Sequence, residues 1–334
     1  MTTRRLPARL LFAVCLALLG ADSALAVRRT EDPLALVPAG AATVGVIHWN
    51  ELRSSPLGAQ VLSQMDDVST DGDAARFLRE TGLTPREDID TIVLAMTDAG
   101  GGASDDALVI FEGRFDLVRI AGALTARGAV LRKGGSGEYY RLASEHGNDG
   151  AVALANAHLL IAGSESAVEA ALGRRESGGA GGLMSGDGLG RNLSRVDRDA
   201  SAWALVDLTR FPATQKGEAH VNVHSDEDGG PSRAIVGAMK SVSLLALQAK
   251  VHGDAVDVSA TGLTTDAESR GLIEDSLRGV LAMWRLAVQE KSPELVSVIR
   301  KFRVESDGEG VSISGTLPGT FLRSLASSKQ ASNR

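Results

Sequence analysis

IDTIVLAMTDAGGGASDDALVIFEGRFDLVRIAGALTARG, Ile89–Gly128, reads as strand, glycine-rich turn, strand and helix. Short apolar runs bounded by glycine are strand signals, and Leu117, Ile120, Ala121 and Leu124 recur at helical spacing. The layout returns at Ser243–Leu281. There Leu244–Lys250 is the first strand, His252-Gly253-Asp254 the turn, Val256–Gly262 the second strand, and the helix follows from Asp266. Two further blocks recur in the same order. VGVIHWNEL at Val44–Leu52 is similar to WALVDLTRF at Trp203–Phe211, and HLLIAGSESAVEAAL at His158–Leu172 to VSISGTLPGTFLRSL at Val311–Leu325. Three matching blocks point to an internal duplication. The expected class is α+β: two related units, each a mainly antiparallel sheet covered by helices.

Working outward, Thr43–Trp49 reads as the first strand after the leader, and Ala74–Thr81 as a short helix. Thr84-Pro85-Arg86-Glu87 has the form of a capping box, and so does Ser166-x-x-Glu169 at the head of a helix over Ser164–Arg175. The longest element is a helix over Asp266–Glu290, capped by Thr265. Its stripe of Ile273, Leu277, Val280, Leu281, Trp284 and Val288 is the expected core-facing side. A second helix starts at Pro293, a hairpin turns at Asp307-Gly308, and a last helix covers Thr316–Ala326. SGGAGGLMSGDGLG, Ser177–Gly190, has the composition of a flexible linker. The expected division is a leader at 1–26, a first unit at 27–176, a linker at 177–199, a second unit at 200–326 and a polar tail at 327–334.

The leader has the order of a secretory signal: Arg4, Arg5 and Arg9, then apolar Leu10–Leu19, then Ala24-Leu25-Ala26 as a cleavage site. Cleavage after Ala26 leaves a mature chain starting at Val27. Cys15, the single cysteine, falls inside the apolar run and reads as a signal-core residue rather than a lipidation site. No later run reaches the roughly 18 apolar residues of a membrane helix. The full chain carries 35 basic and 42 acidic residues, a charge of −7; losing three Arg and one Asp with the leader brings it to −9. Such a balance opposes nonspecific nucleic-acid binding, which rests on phosphate neutralisation. With aromatics at 4%, stacking platforms for bases are also sparse.

No stretch carries a specific chemical signature. Asp67-x-Ser69-x-Asp71-Gly72-Asp73 begins like a calcium loop but has Leu78 where the bidentate acid belongs. His220-x-x-x-His224 with Asp226, Glu227 and Asp228 has metal-ligand types, yet its surroundings read as a solvated acidic loop rather than a helix. The glycine runs lack phosphate-loop spacing, and neither G-x-S-x-G nor H-E-x-x-H occurs. Asn192-Leu193-Ser194 is a sequon that matters only in a eukaryotic host. No residue is therefore assigned as catalytic, cofactor-binding or metal-ligating.

LVPAGAATVGVIHWNELRSSPLG, ETGLTPREDIDTIVLAM and GLTTDAESRGL carry a resemblance to a loose group of uncharacterised exported bacterial α+β proteins with a duplicated hairpin–helix unit. The resemblance implies a periplasmic or extracellular protein and carries over no site residue. The expected function is non-catalytic binding or scaffolding at the cell envelope, with an unknown protein or envelope ligand as partner. The alternative is a hydrolase whose carboxylates, Asp207 or Asp98 with Glu145, converge in an inter-domain cleft. Two acids with opposed pKa shifts would mark the enzyme, and an apolar groove would mark the binder.

Overall fold

Strands rich in Val, Ile, Leu and Ala are stable only when their apolar faces are buried and their edges paired. In the computed structural model, which describes residues 31–55, 58, 73–97, 107–142, 150–211, 241–289 and 293–322, twelve such strands share one sheet. They are β1 Thr43–His48, β2 Ile89–Met96, β3 Ala107–Gly113, β4 Val130–Gly134, β5 Gly137–Leu142, β6 Gly150–Asn156, β7 Leu159–Ser164, β8 Ala202–Asp207, β9 Leu244–His252, β10 Ala255–Leu263, β11 Arg303–Ser306 and β12 Gly310–Pro318. The order is β11-β12-β10-β9-β8-β1-β2-β3-β7-β6-β5-β4, antiparallel throughout.

The halves meet where β1 pairs with β8, from Thr43 opposite Val206 to Ile47 opposite Ala202. Outward from this seam the order repeats: β1-β2-β3-β7-β6 on one side and β8-β9-β10-β12-β11 on the other. The α+β class stands, but the expectation of a separate sheet in each unit is corrected. Each half ends inward in a strand with apolar residues on both faces, and each such strand supplies the other's missing edge partner.

One face of the sheet is covered from β9 through the first half. Val44, Val46, Val93, Ala95, Leu108, Ile110, Trp203, Leu205, Leu244 and Ala246 project from it into the main core. The helix Glu165–Glu176 packs there through Val168, Ala171 and Leu172, and Leu36, Val37, Leu183 and Leu189 complete the cover. The glycine-rich stretch is thus not a free linker. Leu183 and Leu189 are fully buried, Leu183 N donates to Val37 O at 2.7 Å, and Ala39 N donates to Gly181 O at 3.1 Å. Arg195 pairs with Glu309, and Lys250 Nζ meets Asp197 Oδ2 at 2.8 Å. Composition signalled flexibility, but a few spaced apolar side chains decide the outcome by filling the sheet's face.

Among the described residues, the opposite face is covered only toward its two ends. In the first half, the helices α1 Trp49–Ser54, α2 Asp73–Thr81, α3 Pro85–Asp88 and α4 Leu117–Ala126 flank a cluster that includes Trp49, Ile89, Phe115, Ile120, Leu124 and Leu160. With the covering helix Glu165–Glu176 as α5, the second half adds α6 Ala267–Gln289 and α7 Pro293–Ile299. These two helices pack on β11 and β12 through Leu281, Ile299, Val304 and Val311, with Ile273 and Leu277 half-buried beside them. The expected core stripe is therefore split. Val280 and Trp284 are exposed, and with Leu272, Met283 and Leu286 they form an apolar arc on the outer side of α6. The apolar residues span more of the helix circumference than β11, β12 and the short helix α7 cover.

The helix caps and element ends follow the local signals in part. Asp116 and Ser164 cap α4 and α5 by accepting from Arg119 N at 3.1 Å and Ala167 N at 3.2 Å. Thus Ser164, not Ser166, caps α5. Asp266 rather than Thr265 caps α6, with Oδ2 accepting from Ser269 N at 2.7 Å. At α3, Thr84 makes no side-chain cap; Asp88 Oδ2 accepts from Thr84 N at 2.7 Å instead. Thr316–Pro318, expected in the last helix, extends β12, and Trp49, expected in a strand, opens α1. The leader 1–26, the calcium-like loop at 67–72, His220, His224, Asp98, Glu145 and the tail 327–334 lie outside the described residues.

Candidate binding site

The register places one residue from every strand in a single row on the partly covered face: Val304, Ile313, Ala260, Leu247, Ala204, Gly45, Leu94, Val109, Ala162, Val152, Tyr140 and Leu131. Side chains alternate faces along a strand, so directly paired residues share one. The whole row is apolar or aromatic. Toward its ends, Val304 and Ile313 pack under α6 and α7, and Val152 and Tyr140 pack against the first-half cluster. Between these supports the row lies open. Leu94 is 43% exposed and Leu247 37%.

The opening is a groove of about 510 Å³. Gly45, Ala204 and Ala260 give it depth because they present almost no side chain. Leu94, Ile47, Leu247, Val258 and Ile313 give it apolar walls. Gln248 and Ser259 also border it, but alternation aims their side chains at the other face. Among the described residues, no ionisable side chain lines it. The groove therefore has the means to bury an apolar guest.

Four carboxylates outside the groove, Asp207, Asp197, Asp266 and Asp307, hold local structure. Asp207 accepts at Oδ1 from Thr209 N at 3.0 Å and Thr209 Oγ1 at 2.5 Å, capping a 3-10 turn at Leu208–Arg210. Asp197 is held below the usual carboxylate range, first by its hydrogen bond to Lys250 and then by Asp199 N. Asp266 and Asp307 are lowered by the amide and hydroxyl groups they accept from at a helix start and a turn. Tyr139 is pushed far up, because its hydroxyl is bonded to Glu169 at 2.6 Å and Glu165 at 2.8 Å. His48 Nε2 lies 2.8 Å from Arg198 O, a contact that ties β1 to the segment before β8. Among the described residues, no three His, Cys, Asp or Glu side chains are grouped to hold a metal, and no helix is long and apolar enough to cross a membrane.

Sequence reading missed the groove. The strands β1, β2, β8 and β9 are apolar on both faces, which reads as burial on both. A pattern of that kind does not say which face stays open. The available signal was the smallness of Gly45, Ala204 and Ala260, and only strand register makes them neighbours.

No protein-family model matches the chain, and neither does any curated protein sequence. Among solved structures it is similar to TP0453, a Treponema protein. Crystal form III of that protein aligns at 12% identity and a TM-score of 0.49 over 90% of this chain and 100% of that one. Crystal form IV gives 12% identity and a TM-score of 0.47 over 89% and 97%.

Proposed function

We propose that this is a non-catalytic binding protein of the exported compartment, which holds an apolar small molecule, such as a single hydrocarbon chain or a fused ring system, in the groove over β1, β8 and β9. The observation that carries the reading is the open apolar row Leu94–Gly45–Ala204–Leu247–Ala260–Ile313, which lines a concavity with no ionisable side chain among the described residues. Its volume lies within the few hundred to about 1,000 Å³ common for small-molecule sites. Recognition there rests on removing apolar surface from water, about 0.8 kcal/mol for each buried methylene. Export is supported by the basic, apolar, Ala-x-Ala order of residues 4–26. The repeated strand order about the seam, together with the three sequence blocks, supports descent of both halves from one ancestral unit.

The test is a fluorescence titration of the mature chain with N-phenylnaphthylamine, an uncharged apolar probe. Binding is expected in the wild type. It should be lost in Ala204→Trp, which fills the floor, with the melting temperature retained. Unchanged probe binding in a folded Ala204→Trp protein refutes the assignment.

A further inference from the structure

On the opposite face of the same sheet, beyond the end of β8, lies a second concavity of about 700 Å³ with contrary chemistry. Arg303, Ser314, Ser259 and Gln248 form one cross-strand row over β11, β12, β10 and β9. Lys250, Asp257 and Thr316 form a second row, and Arg300 and Lys301 reach in from the turn between α7 and β11. The two carboxylates are already engaged. Asp197 is paired with Lys250, and Asp257 accepts from Thr316 Oγ1 at 2.6 Å and lies 3.4 Å from His252 Nδ1. Arg300, Lys301 and Arg303, by contrast, have no ion-pair partner among the described residues, and the Ser259 and Ser314 hydroxyls have no hydrogen-bond partner there.

Four cations and two carboxylates leave this cleft at a formal +2, in a chain whose net charge is −7. A helix C-terminus favours nearby cations, which accounts for Arg300 and Lys301 after α7. It does not account for Arg303 on β11, in register with two unengaged serines. Guanidinium and ammonium groups with hydroxyl donors around a concavity are a recognition set for phosphate oxygens. We propose that this cleft is an anion site for a hydroxyl-bearing phosphate ester, with Arg303 and Lys301 holding the phosphate and Ser259, Ser314 and Gln248 meeting the hydroxyl groups. The site is independent of the apolar groove, since alternation puts Gln248 and Leu247 on opposite faces.

Calorimetric titration of the full mature chain with glycerol 3-phosphate tests the free ester. Cosedimentation with phosphatidylcholine vesicles, alone or doped with phosphatidylglycerol, tests the same chemistry on a lipid headgroup. Glycerol 3-phosphate should bind, and the double variant Lys301→Gln/Arg303→Gln should weaken it by at least about tenfold while Arg278→Gln, whose partner Glu274 is on its own helix, leaves it unchanged. Ser259→Ala/Ser314→Ala should weaken the ester more than it weakens inorganic phosphate. Cosedimentation only with doped vesicles, abolished in the Lys301/Arg303 variant, assigns the phosphate to a headgroup. The proposal is overturned if the Lys301/Arg303 variant, folded by its melting curve, binds as the wild type does. It is also overturned if Arg278→Gln weakens binding equally, or if neither the ester nor the doped vesicles bind.

Discussion

Gly45 on β1 stands directly opposite Ala204 on β8, which puts two small residues side by side at the seam where the halves of the sheet meet. A Cβ on Gly45 would lie 3.7 Å from Trp203 O and 3.8 Å from Ala204 Cβ, ordinary contact distances. Gly45→Ala should therefore fit without strain and raise stability by about 0.4–1 kcal/mol, since glycine carries extra freedom in the unfolded chain. It should also make the groove shallower. Urea unfolding and the apolar probe titration, run on the same variant, should report greater stability and weaker binding together.

The two sides of α6 should behave differently. Leu281 is buried against Ile299, Val304 and Val311, so Leu281→Ala should cost about 2–5 kcal/mol. Met283 and Leu286 are 65% and 69% exposed, and Met283→Ser or Leu286→Ser should change stability by about 0.5 kcal/mol or less. Urea denaturation of the three variants checks this. A large loss in Met283→Ser would mean that the outer arc is covered in solution.

The glycine-rich stretch after α5 should resist proteolysis. Leu183 is fully buried and Val37 O accepts from its backbone amide, so the stretch cannot open without uncovering the sheet. Limited proteolysis followed by mass spectrometry should find no early cut within Leu183–Arg195, and Leu183→Ala should cost about 2–5 kcal/mol.

How far the sequence could be read follows from these cases. Strand positions and the α4 and α5 helices were legible because glycine and apolar periodicity are local signals. The repeated strand order was foreshadowed by the Val44–Leu52 and Trp203–Phe211 blocks. Three things were not local. The pairing of β1 with β8 joins residues about 160 positions apart. β4 was missed because Val130-Leu131-Arg132-Lys133 is a charged edge strand with no apolar face to announce it. The cover provided by Leu183 and Leu189 was hidden by surrounding glycines. Both candidate sites are made by cross-strand rows, so no stretch of sequence contains either.

The Asp197–Lys250 pair sets a pH dependence for the segment before β8. Asp197 is lowered in the folded state, so its contribution is present above the unfolded aspartate value of about 3.9 and lost as pH falls through the folded value. Lys250 is raised, mainly by its hydrogen bond to Asp197, so its contribution is present below the unfolded lysine value of about 10.4 and lost as pH rises through the folded one. In Lys250→Met the Asp197 carboxyl should titrate closer to its ordinary value. A carbon-detected NMR titration of the side-chain carboxyls reads this directly. An unmoved Asp197 would show that Lys250 does not pair with it in solution.

The groove itself is tested most directly by methyl NMR of the mature chain, with Leu, Val, Ile and Ala methyls labelled, during titration with an uncharged apolar ligand such as decanol. Leu94, Leu247, Ala204 and Ile313 line the groove, whereas Leu205, Val93 and Ile110 face the covered core of the same sheet. Binding in the groove predicts saturable shifts concentrated in the first set, with intermolecular NOEs from the ligand chain to Leu94 and Leu247, and small changes in the second. Saturable binding with shifts confined to other parts of the chain, or no shift of Leu94 and Leu247 up to the ligand's solubility, would contradict the proposed function.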